Sequence, residues 1–148
     1  MINIQPGARE VMVNDAISSY PYECCGFFYG NEDATGNRVI SDVLIVNNAK
    51  EGDKRRRFEI SPRDYVKAEQ FADENNLHLL GVYHSHPNHL PAPSEHDRQA
   101  AQIYFSYIII SVYNKELNKL RSWRLNDSFQ FEEEEILEPS EALISDNH

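Results

Sequence analysis

A chain of 148 residues with 41% hydrophobic content suits one domain around a single core and needs no second. Its 14 basic residues against 24 acidic ones give a net charge of −10, which opposes a nucleic-acid partner through long-range electrostatics. There is no apolar stretch of about 18 residues and no basic-apolar-small leader, so neither a membrane span nor a secretory signal is expected and the protein is expected in the cytoplasm.

In chain order, residues 6–19 predict a helix, with Ala8, Val11, Met12 and Ala16 near helical spacing. The only cysteines, Cys24 and Cys25, are adjacent, which argues against a disulfide framework and lacks the spacing of a structural zinc site; they are expected as strand residues. Residues 25–29 and 39–46 predict strands joined by a small polar turn at 33–37. Lys54, Arg55, Arg56 and Arg57 form the one basic run, read either as a solvated turn or as a dock for an acidic partner, before a short strand at 58–60. Ser61 and Pro62 look like the N-cap and first residue of a helix to about Asn75, with Tyr65, Ala68 and Ala72 on one face. A core strand at 78–83, a helix from Ser94 to about Tyr104, and strands at 107–113, 120–125 and 129–131 complete the elements. An acidic run, Glu132 to Glu135, precedes a flexible tail predicted at 138–148, outside a domain of residues 1–137. The alternation of elements predicts an α/β fold, a single-domain α-β-α sandwich around a mixed β-sheet.

The chemistry is concentrated after the core strand, where Tyr83-His84-Ser85-His86-Pro87 is followed by Ser94 and Asp97. Strand side chains alternate, so both imidazoles face the same side. A His-x-His pair alone arises by chance about 0.24 times in such a composition. With the Ser and Asp added at their fixed spacing the figure falls to about 0.001, so the combination is specific. Ser94 as N-cap puts Asp97 in the first helical turn, where its carboxylate can point back at the strand end. Neutral imidazole and carboxylate oxygen are good zinc ligands, and a catalytic site keeps three of them with a fourth position for water. Such water has its pKa lowered from about 15.7 to about 7. A Glu within reach would then carry the proton from water to the leaving amine.

At these residues the sequence resembles the JAMM (MPN-plus) metallopeptidases, whose pattern is an upstream Glu, then His-Ser-His, seven residues, and Ser-x-x-Asp. The segment Pro21-Tyr22-Glu23-Cys24-Cys25-Gly26, with Gly30 beyond it, is similar to the Pro-x-Glu-x-Cys-Gly-x-x-x-Gly segment of the short bacterial members. The resemblance covers residues 2–125 and implies that His84, His86 and Asp97 bind one zinc ion, Glu23 is general acid and base, and Ser94 stabilises the oxyanion. It also implies the family's architecture, akin to the cytidine-deaminase fold. Its expected substrate is an amide or isopeptide bond at the C-terminus of a ubiquitin-like protein. Short bacterial members are similar to enzymes that trim a ubiquitin-like sulfur carrier, whose Gly-Gly tail could lie along an exposed strand edge near the metal.

Two other classes compete. The same fold serves as a non-catalytic binding scaffold in MPN-minus subunits, which lack the ligands retained here. A RadC-like, DNA-repair-associated protein also has His-x-His and Ser-x-x-Asp, but is expected to show His-Asn-His-Pro-Ser-Gly, and the acidic balance opposes DNA contact. Outside the motif, His89 is expected as an exposed loop residue, His96 to point away from the metal, Trp123 to pack within its strand, and Ser85 to bond a neighbouring backbone group.

Overall fold

Six consecutive buried residues, from Cys25 to Gly30, make β2 (Cys25–Glu32) a strand covered on both faces. The computed structural model describes residues 1–137. Around β2 lies one mixed sheet containing β1 (Ile2–Ile4), β3 (Arg38–Val46), β4 (His78–Pro87), β5 (Ser106–Tyr113), β6 (Glu116–Leu125), β7 (Phe131–Glu134) and β8 (Ile136–Leu137). The order is β7-β6-β5-β4-β2-β3-β1-β8. β4 runs antiparallel to β2 and parallel to β5, so it has neighbours on both sides.

Helix α1 (Pro6–Ser19) covers one face, where Ala8, Met12 and Ala16 meet Phe28, Ile40, Leu80, Ile108 and Ile110. Helix α2 (Pro62–Glu74) covers the other, its Ala68 and Ala72 packing near Phe27, Tyr29, Val82 and Tyr107. Alanines at these contacts let each helix approach the sheet closely, and the result is the expected α-β-α sandwich. A register shift at Phe28/Tyr29 pairs Tyr29 with Leu79 and Phe28 with Gly81, leaving Leu80 as an extra residue. Leu80 therefore joins the α1 side, while Val82 two residues on joins the α2 side. The bulge sets which way the second half of β4, with its two histidines, faces. Gly81 has no room for a side chain there, since a Cβ would lie 1.9 Å from the Ser106 carbonyl oxygen.

At the start of β3 stands a wholly buried arginine that the sequence reading passed over. Arg38 donates from Nε to Glu32 (2.6 Å), to the Leu80 carbonyl (3.0 Å) and Ser106 Oγ (2.9 Å), and to the Tyr104 carbonyl (2.7 Å). It thereby ties β3 to the first half of β4 and to the entry of β5.

Three expectations are corrected, and two short strands were not foreseen. Residues 58–60 are not a strand; the segment is pinned by a bond from Ala49 N–H to the Glu59 carbonyl and by Asn48, whose side chain accepts from Glu59 N–H. The helix after Ser94 is only α3 (Glu95–Ala100), because Ala101 turns extended and the Gln102 N–H is taken by the Tyr107 hydroxyl at 2.6 Å. Phe129 lies in a turn at φ 57°, and the last long pairing moves to β7, so three residues of the acidic run form a charged edge strand. β1 and β8 are too short for periodicity to reveal. The tail predicted at 138–148 lies outside the described residues. No helix among the described residues is long and apolar enough to cross a membrane.

Candidate metal centre

Past Val82, β4 carries His84 and His86 to the end of the sheet where α2 no longer covers it, and α3 meets them there. Ser94 caps α3 by accepting from the Asp97 N–H at 3.0 Å, while Asp97 Oδ2 accepts from the Ser94 N–H at 2.9 Å. This capping box fixes the carboxylate against the strand. Asp97 Oδ2 lies 3.3 Å from Nε2 of both histidines, which are 3.1 Å from each other. A tetrahedral ion with ligands at about 2.1 Å separates their atoms by about 3.4 Å, so the three atoms already stand at coordination spacing.

The hydrogen-bond chemistry tests the fit. His86 Nδ1 lies 2.9 Å from the Leu90 carbonyl, which can only accept, so the proton sits on Nδ1 and the Nε2 lone pair faces inward. With the His86 ring neutral, three electron-pair donors converge with at most one proton among them, an arrangement a cation satisfies. The residues present therefore fit a divalent ion. His84 Nδ1 is buried without a partner among the described residues, and the ring is held by stacking on Phe58, centroid to centroid 4.3 Å.

Glu23 is brought in from the end of the loop before β2. A Glu23 carboxylate oxygen and one ring nitrogen from each of His84 and His86 lie within 4.8 Å of one another. Its main chain is fixed from both sides: Glu23 N–H donates to the Lys54 carbonyl (2.7 Å), and the Glu23 carbonyl accepts from Asn48 Nδ2 (3.1 Å). The next residue is tied to β4 itself, Cys24 N–H donating to Ser85 Oγ at 2.8 Å. Ser85 thus bonds a neighbouring backbone group, as expected, and in doing so couples Glu23 to the histidine strand.

Burial sets the electrostatics. It pushes the Glu23 carboxyl up to about 8, with the Asp97 charge adding to it and His86 and Arg57 opposing. Burial likewise lowers His84, favouring the neutral ring a ligand requires. At His86 burial opposes the proton, but the bonds to Asp97 and Leu90 and the neighbouring carboxylates outweigh it and raise the pKa. Asp97 is held ionised well below the carboxylate range, because the two histidines and the Ser94 N–H outweigh its burial.

Two cavities meet at this cluster. One, about 350 Å3, is apolar, with Phe58, Ile60, Tyr65 and Tyr107 among its walls beside His84 and Asp97. The other, about 380 Å3, is the more polar of the two, with Leu90 and Ala92 in its wall beside Glu23, Arg56, His86, His89, Ser94 and Asp97. Glu23, His84, His86, Ser94 and Asp97 are thus gathered in one place from three segments of the chain. His89 is exposed on the polar side, and His96 lines the apolar cavity beyond Asp97. Trp123 packs within its strand and also donates Nε1–H to the Pro91 carbonyl (3.0 Å), holding the loop between His86 and Ser94. Sequence reasoning missed that role, along with Asn48 and Phe58, because each acts through partners remote in the chain. Cys24 and Cys25 are free and buried; Cys25 opens β2 as expected while Cys24 lies just before the strand, and burial pushes both thiols up, Cys25 to about 12, so neither offers a thiolate. β4 is paired with β2 as far as His84 and with β5 as far as Pro87, so among the described residues only the stretch past His84, which holds His86, has a side outside the β2 ladder. The irregular residues 47–60 are the main chain beside the site.

The profile of prokaryotic homologues of the JAB domain matches residues 6–126. The chain is 29% identical over 121 residues to a desampylase of Pyrococcus furiosus, covering 82% of this chain and 79% of that protein. It is 30% identical over 126 residues to the Lys-63-specific deubiquitinase BRCC36 of Camponotus floridanus, covering 77% of this chain and 49% of the relative, about half its length. A Desulfitobacterium hafniense protein of known solution structure superposes with a TM-score of 0.81 at 29% identity, over 93% of this chain and 92% of that one. The chain therefore belongs to the JAMM/MPN family, among the prokaryotic homologues of the JAB domain.

Proposed function

We propose that this hydrolase is a zinc-dependent peptidase that cuts the amide or isopeptide bond at the C-terminus of a ubiquitin-like protein, with a sulfur carrier of that fold as its substrate. The observation that carries the reading is the convergence of His84 Nε2, His86 Nε2 and Asp97 Oδ2 within 3.1 to 3.3 Å beside the buried carboxyl of Glu23. The desampylase and deubiquitinase relatives support a ubiquitin-like substrate class. His84, His86 and Asp97 hold the ion, and when bound it supplies a Lewis acid and lowers the pKa of water.

The remaining work falls to the chain. Glu23 takes a proton from the attacking water and hands it to the departing amine, a task suited to a carboxyl that burial has moved toward neutral pH. Ser94 Oγ spends a lone pair on the Asp97 N–H, which leaves its own hydrogen free to donate to the carbonyl oxygen as negative charge develops. Ser85 and Asn48 hold Glu23 in place from opposite sides.

Intact-mass spectrometry of a bacterial sulfur carrier with a short extension after its terminal Gly-Gly tests this directly. The zinc-loaded protein is expected to remove the extension, and Glu23→Gln to bind zinc equally while losing about 10²- to 10⁴-fold in turnover. An untouched extension with zinc confirmed bound would discard the carrier as substrate, and an equally active Glu23→Gln would discard the proton carrier.

A further inference from the structure

We propose that Arg56 recognises the free α-carboxylate of the leaving group, so that the site releases a C-terminal amino acid in preference to a lysine side chain. This rests on the peptidase reading above.

The two cavities at the ligand cluster are not equivalent. Glu23 borders the polar one and does not border the apolar one. In hydrolysis the C–N bond breaks, water adds its hydroxyl to the carbonyl carbon, and its remaining proton reaches the nitrogen through Glu23. The nitrogen departs on the Glu23 side, and of the cavities that Glu23 borders the polar cleft is the one that also touches His86 and Asp97, which makes that cleft the leaving-group subsite.

Arg56 brings a permanent cation to that cleft. Its place is set by its neighbours rather than by its own bonds: the Lys54 carbonyl is fixed to Glu23 N–H (2.7 Å), and the Arg57 carbonyl to Asn48 Nδ2 (3.0 Å). Between these pinned points Arg56 keeps an 83% exposed side chain whose ion pair, to Asp53 Oδ2, is a loose 3.9 Å. Arg55 is engaged more closely with the same carboxylate, at 3.2 Å, and is not part of the cleft wall. On a protein of net charge −10, an exposed guanidinium on the wall of the cleft that Glu23 also borders singles out an anion. An α-amino acid leaving group carries its carboxylate one carbon from the departing nitrogen, and the guanidinium fork can take it in two hydrogen bonds. A lysine Nζ carries no such anion and departs toward a like charge.

Three substrates separate the possibilities: a sulfur carrier extended after Gly-Gly by one alanine with a free carboxylate, the same extension as a carboxamide, and the Gly-Gly isopeptide of lysine Nε. With zinc-loaded protein, kcat/KM is expected to favour the carboxylate over both others by at least about tenfold, the scale of a charge-assisted hydrogen bond. Arg56→Gln should reduce that preference to within about twofold without slowing the carboxamide, while Arg55→Gln should keep it. Equal rates on carboxylate and carboxamide, or a preference that survives Arg56→Gln, would overturn the role of Arg56 and leave the peptidase reading standing. Failure to cut any of the three would overturn both.

Discussion

The two ends of β4 both bury polar groups, and they do so in opposite states. Near its start, the Leu80 carbonyl, Ser106 Oγ and Tyr104 carbonyl all accept from Arg38, whose charge is paired with Glu32. Near its end, two imidazole nitrogens and a carboxylate oxygen face one another at 3.1 to 3.3 Å with too few protons to bridge them. A buried network that is satisfied from within stabilises and specifies the fold. One that lacks a counter-charge is complete only with something from outside. The cluster lies at the C-terminal end of the strand, the end at which α/β sheets bind ligands, and where cover passes from α2 to irregular residues 47–60 and the short α3.

Substitutions at the two ends should therefore fail differently. The largest effect is expected from His86→Ala or Asp97→Ala, which remove one of the three proposed ligands: zinc should be lost on gel filtration and turnover should fall to background. A chelator should lower the melting temperature of wild type and leave that of His86→Ala unchanged. At the other end, Arg38→Met should cost about 3 kcal/mol, since it strands two carbonyls and a carboxylate that now accept from it. Denaturant unfolding should show that loss equally with and without zinc, and turnover per folded molecule should stay within about twofold of wild type. If chelator sensitivity followed Arg38→Met instead, the contrast between the ends of the strand would collapse.

A smaller effect sharpens the contrast from the side of Glu23. In metal-free protein its carboxyl is pushed up from 4.5 to about 8 by burial. Between those values the folded chain holds a proton that the unfolded chain has released, so the slope of stability with pH is negative. The contribution is fully present below about 4.5 and is lost as pH rises through about 8. His86, also raised, adds to the same trend, while lowered His84 opposes it, so the test is the difference between wild type and Glu23→Gln. Metal-free melting curves at pH 5.5 and 8 should fall farther for wild type. Parallel curves would return Glu23 to an ordinary carboxyl.

How far the sequence could be read divides along the same lines. Helices with punctuation were legible: Pro6 and Ser61-Pro62 open α1 and α2 at the predicted residues. The spaced residues His84, His86, Ser94 and Asp97 were legible because strand parity and one capping box put them together with few tertiary contacts to guess. What failed depended on distant partners. α3 stops early because Tyr107, five residues past Gln102, takes its amide, and residues 58–60 have β-like composition but no strand to pair with. Arg38 was passed over because a lone arginine before a strand looks like surface, and its partners lie 42 to 68 positions away except for Glu32.

Trp123→Phe gives the finest test of where the site ends and the scaffold begins. The substitution keeps an aromatic ring, though a smaller one, and removes the Nε1–H donor to the buried Pro91 carbonyl, the lost bond costing about 1 kcal/mol. Pro91 belongs to the loop that joins the histidines to Asp97, so any freedom gained there is felt by the third ligand. The loop has other anchors: His86 Nδ1 to the Leu90 carbonyl, Ser111 Oγ to the His89 carbonyl, Asn88 N–H to the Val112 carbonyl, and the Tyr20 hydroxyl to Asn88 Oδ1. Zinc affinity, measured by competition with a chromophoric chelator, should therefore weaken by no more than about fivefold, the equivalent of 1 kcal/mol. A larger drop would mean that the indole bond, rather than the bonds made by the loop itself, holds Asp97 at coordination distance. An unchanged affinity with a lower melting temperature would place Trp123 with Arg38, among the groups that hold the sheet together and leave the ligands alone.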